Sequence, residues 1–356
     1  MITLKKALAA TLAITMLFSL SACGDKASNS APTSAPAESA QPADNAEQSD
    51  SDSTAPLNVV FIPKLVGIPW FNQMEQGFKD YADEFGTMTI KVSGPPDADP
   101  VQQASFVEDA IATKPDVIVV VPNDTAVLEP SLQKAREAGI VVITQEASSV
   151  INADADIEFL IMELTGKQYM EALASNMGGE GGYAIMVGGL TVENHNARAD
   201  AAVAYQEEKY PDMYQVISRV EGSEDIEEAH DKTLELILAH PDLKGIMYIG
   251  SNGALGGAAA IRERNLVGQF AITGTSLPSQ SKPFLQDGSI SANLIGSPRD
   301  IAYASAYIVE QLVANDMDVS SITEVPIYGE VQVDGKIILF HSDSEVTFEN
   351  ADSFGF

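Results

Sequence analysis

The chain has 356 residues, 20 of them basic and 51 acidic, for a formal net charge of −31. That balance excludes nucleic acid as a partner, since phosphate binding needs a basic face, and it repels anionic lipid headgroups. One cysteine and four histidines without metal-ligand spacing offer no disulfide, no redox pair and no metal centre, and no cofactor is expected.

Lys5 and Lys6 precede an apolar run over 7–20. The run is shorter than the roughly 20 residues that span a bilayer, and it has the form of a signal peptide. Leu20-Ser21-Ala22-Cys23 follows and resembles the bacterial lipobox. Residues 1–23 are therefore expected to be a lipoprotein signal with the lipid on Cys23. An ordinary secretory signal with an incidental cysteine is the alternative. The expected location is outside the cytoplasm, anchored to the cell membrane and facing the periplasm or the exterior. Residues 24–56 are almost entirely Ala, Ser, Pro, Asp, Glu, Gln and Asn. Such a stretch buries too little apolar surface to fold and predicts a disordered acidic tether. No later segment is long and apolar enough to cross a membrane.

From Leu57 the pattern alternates. Strands are predicted over 58–62, 89–92, 117–121 and 140–144. Helices are predicted over 71–85, 99–113 and 128–138 between them, with Asp99 as N-cap and Pro100 as the first helical residue. The rhythm restarts with helix 166–177, strand 183–187, helix 196–209 and strand 214–220. Helix 227–239, strand 246–249, helix 254–264 and strand 271–275 continue it. Continuous β-branched runs signal strands buried on both faces, as in parallel sheets. Two doubly wound α/β lobes in a hinged clamshell are the expected architecture.

Ligands of open α/β sheets sit beyond the carboxyl ends of the strands. The residues found there are Lys64, Trp70, Phe71, Asn123, Asp124, Gln145, Glu146, Glu193, Asn194, His195, Ser251, Asn252 and Ser276. Carboxylates, amides and hydroxyls with two aromatic rings suit a polyhydroxylated small ligand. Each has a plainer reading as well. Lys64 reads also as a surface lysine, Trp70 as core, Glu146 as a cap, and Asn123 and Asp124 as turn residues after Pro122. As a site residue, Lys64 is expected to be open to solvent, so that its removal spares the melting point. The order strand, G-x-G-x-x-G, helix is absent, as is a G-x-S-x-G elbow, and no enzymatic activity is expected.

The run over 61–71, Phe-Ile-Pro-Lys-Leu-Val-Gly-Ile-Pro-Trp-Phe, resembles the opening of the autoinducer-2-binding and rhamnose-binding periplasmic proteins. These are sugar-binding components of ABC importers with the ribose-binding fold. Residues 135–146, 191–196, 275–278 and the final Phe354-Gly355-Phe356 extend the resemblance over nearly the whole body. It implies a type I periplasmic binding protein with three interlobe crossings, near residues 147, 288 and 318. The N-terminal lobe would comprise 57–147 and 289–318, and the C-terminal lobe 148–288 and 319–356. It also implies that Lys64 is a ligand contact, that Glu146 stands for an aspartate, that Asn194-His195 stand for an Asp-Gln pair, and that Ile249-Gly250-Ser251 replace a Pro-Asp-Ala run. The expected role is a monomeric, lipid-anchored solute-binding protein that captures autoinducer-2, rhamnose or a pentose-like sugar for a membrane permease. A sensor of the same fold serving a membrane receptor is the alternative, ahead of a secreted sugar-acting enzyme. A sugar-responsive repressor would carry a DNA-binding helix pair where this chain has its signal and tether.

Overall fold

A computed structural model describes residues 55–356. The expected signal peptide, Cys23 and the tether through residue 54 lie outside the described residues. In chain order the first part runs β1 (Leu57–Ile62), α1 (Pro69–Phe85), β2 (Met88–Val92), α2 (Pro100–Thr113), β3 (Val117–Val120), α3 (Thr125–Glu137), β4 (Val141–Gln145) and β5 (Ala155–Glu158). The second part begins with α4 (Met162–Met177), β6 (Gly181–Val187), α5 (Glu193–Lys209), β7 (Met213–Gln215) and β8 (Val220–Glu221). It continues through α6 (Ile226–Ala239), β9 (Leu243–Ile249), α7 (Gly253–Glu263), β10 (Ala271–Gly274), α8 (Pro278–Asp287) and β11 (Ala292–Ile295). The last part holds α9 (Pro298–Val309) and the short strands β12 (Glu324–Val325), β13 (Gly329–Glu330), β14 (Gln332–Asp334), β15 (Ile337–Leu339) and β16 (Ser344–Val346).

Two sheets result. The first has the order β14-β15-β5-β4-β3-β1-β2, parallel except for β14. The second has the order β16-β11-β10-β9-β6-β7, parallel except for β16, with β8 also on β6. Both contain the same doubly wound sequence, with the chain reversing direction across the sheet between β1 and β3 and again between β6 and β9. These reversals leave crevices beyond the strand ends, the usual place for a ligand.

Burial explains the strands. Val117, Ile118, Val119 and Val120 are all fully enclosed, with helices on both faces of the sheet. Asp99 caps α2 as expected, accepting from the N–H groups of Val101 at 2.8 Å and Gln102 at 3.0 Å. On the face of α1, Gly77 permits close packing against α9, since a Cβ there would sit 2.0 Å from the Arg299 carbonyl oxygen.

The lobe boundaries differ from those expected. β11, expected in the first lobe, pairs with β10 in the second sheet, while β14 and β15, expected in the second lobe, extend the first sheet. The chain therefore crosses at 159–161, 296–297 and 340–343. The first crossing is displaced by β5, whose Ala-Asp-Ile-Glu sequence carries a buried and a half-buried acid and gives no apolar run to read. Strand 214–220 is also two pieces, β7 and β8. Between them Arg219 turns toward α5 and donates to the Asn196 side-chain oxygen at 3.0 Å.

Candidate functional site

The loop after β1 carries Lys64 into the cleft, where only 3% of its surface is exposed. Its ammonium lies 3.8 Å from the Glu146 carboxylate, which follows β4. Across the cleft, Asn194 on the first turn of α5 accepts from Lys64 at 3.4 Å and donates to the other oxygen of Glu146. Glu146 sits at φ +57, a left-handed conformation uncommon for a residue with a side chain. It is held by its own N–H to Ile157 O at 3.1 Å and by the Ala147 N–H to Asp156 at 3.2 Å. The strained backbone turns its carboxylate into the cleft.

His195 accepts at Nδ1 from the Gly188 N–H at 3.0 Å, which places the proton of the neutral ring on Nε2. Burial first, then Lys64 and Arg198, holds its pKa well below the ordinary histidine range. Nε2 is 3.4 Å from the Lys64 ammonium, so two donors face one another. An acceptor oxygen placed between them satisfies both. A Glu224 carboxylate oxygen also lies 3.7 Å from this Nε2, and its other oxygen takes the Ser251 N–H at 3.4 Å.

One helical turn beyond Asn194, Arg198 is buried with its guanidinium 5.5 Å over the Tyr169 ring and its Nε without a partner. Asp343, on the third crossing, keeps an unpartnered Oδ2, and the hydroxyl of Ser251 is likewise unpartnered. Such buried orphans are rare in proteins. Burial pushes the pKa values of both Glu224 and Asp343 upward. Trp70, Phe71, Phe159 and Leu160 line the cleft as well. Together they line a cleft whose enclosed volume is about 40 Å³.

Of the residues singled out from sequence, Lys64, Trp70, Phe71, Glu146, Asn194, His195 and Ser251 line this cleft. The others do not. Asp124 caps α3 through the Val127 N–H at 3.0 Å. Gln145 turns away to Ser305 at 2.8 Å, and Ser276 bonds Asn293 within the second lobe. Asn123 and Asn252 line a separate groove at the cleft mouth, donating to the carbonyls of Lys64 at 2.7 Å and Glu224 at 2.8 Å. Glu193 is held by Ser148 and Ser149 of the opposite lobe. Side chains at strand ends alternate in direction, and this turns Gln145 away from the cleft that Glu146 faces.

Sequence reading missed Arg198, Glu224, Asp343, Phe159, Leu160 and Thr275, which also line the cleft. Arg198 was within reach, because a residue four after Asn194 shares its helix face. Glu224 was hidden by the broken strand, and Asp343 and Phe159 by the unrecognised crossings. Among the described residues no cluster of histidine, cysteine and acidic side chains has the arrangement of a metal site.

A family model described as a periplasmic binding protein domain matches residues 59–316. The D-ribose/D-allose-binding protein of Pseudomonas aeruginosa is 25% identical over 66% of this chain and 75% of its own length. Two solved structures share the fold at a TM-score of 0.77. One is an ABC transporter solute-binding protein from Clostridium phytofermentas with bound L-rhamnose, 22% identical over 84% of this chain and 98% of that one. The other is LsrB from Clostridium saccharobutylicum in complex with AI-2, 21% identical over 84% of this chain and all of that one, a coverage of 100%.

Proposed function

The chain belongs to the periplasmic binding protein family, and from that premise we propose that it captures a small neutral sugar or sugar-like molecule for an ABC importer. The observation that carries this reading is the cleft itself. Lys64, Arg198 and the His195 N–H supply donors, while Glu146, Glu224 and Asp343 supply acceptors, and Arg198 Nε and Asp343 Oδ2 have no partner within the protein. Only a ligand whose groups both donate and accept, as hydroxyls do, satisfies the whole set.

Charge argues for a neutral ligand. Two cations, Lys64 and Arg198, face three carboxyls, Glu146, Glu224 and Asp343, so the lining holds no excess positive charge for an anion to meet. A sugar acid or phosphate would add an uncompensated charge to a closed site, which costs several kcal/mol. The apolar side chains of Trp70, Phe71, Phe159 and Leu160 in the lining favour a ligand with a hydroxyl-poor part, such as a deoxy sugar or a methyl-bearing furanose like autoinducer-2. Capture ends in closure about the three crossings, the usual motion of hinged lobes around a ligand. The lipid on Cys23 then holds the protein beside its permease, a reading supported by the single cysteine behind an apolar run.

A thermal-shift panel of L-rhamnose, autoinducer-2, D-ribose, D-allose and the corresponding sugar acids tests the reading. A ligand that binds the folded protein raises its melting point by mass action. At least one neutral compound is expected to do so and no acid. Stabilisation by acids alone would overturn it.

A further inference from the structure

Glu193 is the first residue of α5, in the second lobe, and does not line the cleft. Its Oε1 accepts from the Ser148 hydroxyl at 3.1 Å and the Ser149 N–H at 3.1 Å, and its Oε2 accepts from the Ser149 hydroxyl. Both serines belong to the first lobe, two and three residues beyond Glu146. We propose that Glu193 is a latch between the lobes, a positioning residue that holds the cleft shut and fixes the loop presenting Glu146.

Three observations support the assignment. First, the bonds run between lobes, so they form only when the cleft is closed. Second, consecutive residues of one helix grip one loop: Asn194 donates to the Glu146 carboxylate while Glu193 takes the two serines behind it. That loop is already tied to its own lobe at both ends, by Ile157 O to the Glu146 N–H and by Glu129 to the N–H groups of Ile151 and Asn152. The latch is therefore made to a stiff element and reports on where Glu146 stands. Third, the carboxylate sits at a helix N-terminus that no other side chain caps, where the helix dipole favours negative charge.

A latch outside the cleft stabilises the closed form by the same amount whatever lies inside. A ligand contact discriminates between ligands. The two roles separate experimentally, and only the affinity arm rests on the sugar-capture reading. The purified protein and its Glu193→Ala, Ser148→Ala/Ser149→Ala and triple variants are titrated with L-rhamnose, D-ribose and D-allose. Amide hydrogen exchange at Ser149 is followed in each without added sugar. Glu193→Ala is expected to weaken every sugar that binds by one common factor of about tenfold, with their order unchanged. The triple variant should be no weaker than Glu193→Ala, because the Ser149 N–H that the serine variant keeps has lost its acceptor, and Ser149 should exchange faster once Glu193 is gone. Glu193→Gln, which keeps an acceptor, should lose less. Reordered affinities, additive losses or unchanged exchange at Ser149 would each overturn the latch. If none of the three sugars binds, the proposed function is what fails, and the exchange at Ser149 decides the latch alone.

Discussion

The Lys64 ammonium lies 3.8 Å from the Glu146 carboxylate, and Asn194 from the opposite lobe bonds to both. Two buried charges of one lobe are thus completed by an amide of the other. A ligand oxygen entering here meets a donor and an acceptor already oriented by each other.

Removing one partner of this pair leaves the other charge buried and unmatched, which typically costs about 3–5 kcal/mol. The sequence-based expectation that Lys64→Ala spares the melting point therefore gives way, because Lys64 is enclosed rather than open to solvent. Lys64→Ala is expected both to weaken binding by roughly ten- to a hundredfold and to lower the melting point by several degrees. Lys64→Met/Glu146→Gln, which removes both charges, should regain most of the melting point and none of the affinity. Paired melts and titrations check this, and a double variant as unstable as the single would contradict it.

Arg198 presents a planar fork over the Tyr169 ring, a geometry that a lysine cannot copy. Arg198→Lys keeps the charge and loses the fork. Affinity should fall at least tenfold while the ligand-free melting point stays within a degree or two. An unchanged affinity in calorimetric titration would show that Arg198 braces Tyr169 and does not touch the ligand.

Most of the first lobe and the start of the second were legible because β1, β3 and β4 are apolar runs bounded by clear helix signals. Lys64, Trp70 and Phe71, read from their place after the first strand, line the cleft. Illegible were the elements that carry polar residues inward. β5 offers no continuous apolar run because Asp156 and Glu158 interrupt its four residues, and Asp343 enters the cleft from a crossing with no periodic pattern at all. Glu193 was visible at a strand-end rim, yet a sequence does not say which lobe a side chain will bond. Closure decides that.

The acids of β5 give the protein an uncommon pH response. Burial pushes Asp156 up to about 6 and Glu158 well above the usual carboxylate range. An unfolded aspartate releases its proton near pH 4, so between about pH 4 and 6 the folded form holds more protons than the unfolded. Stability is therefore present at the lower end of that window and is lost as pH rises through it. Glu224 and Asp343 act in the same direction. His195 acts in the opposite one, since the unfolded chain alone takes up its proton below about pH 6.5. The melting point should rise between pH 7.5 and 5.5. Asp156→Asn should raise it at pH 7.5 by a few degrees and flatten the profile, because the amide oxygen still accepts from Thr144 and Ala147. A melting point that drops steadily from pH 7.5 to 5.5 would contradict this.

If Cys23 carries the lipid, Cys23→Ala moves the protein from the membrane fraction to the soluble fraction or the medium. Unchanged fractionation would remove the anchor from the account.

The central claim is that a small neutral ligand occupies the cleft between the lobes, and the chain supplies its own reporter. Trp70 is the single tryptophan, and it lines that cleft. Intrinsic fluorescence is recorded while L-rhamnose, autoinducer-2, D-ribose and D-allose are titrated in turn, with Lys64→Ala alongside. The account predicts a saturable change in emission with at least one of them, shifted to about tenfold or higher concentration in the variant. Binding seen by calorimetry with no change in Trp70 emission, or with the same midpoint in both proteins, would place the ligand elsewhere and contradict it.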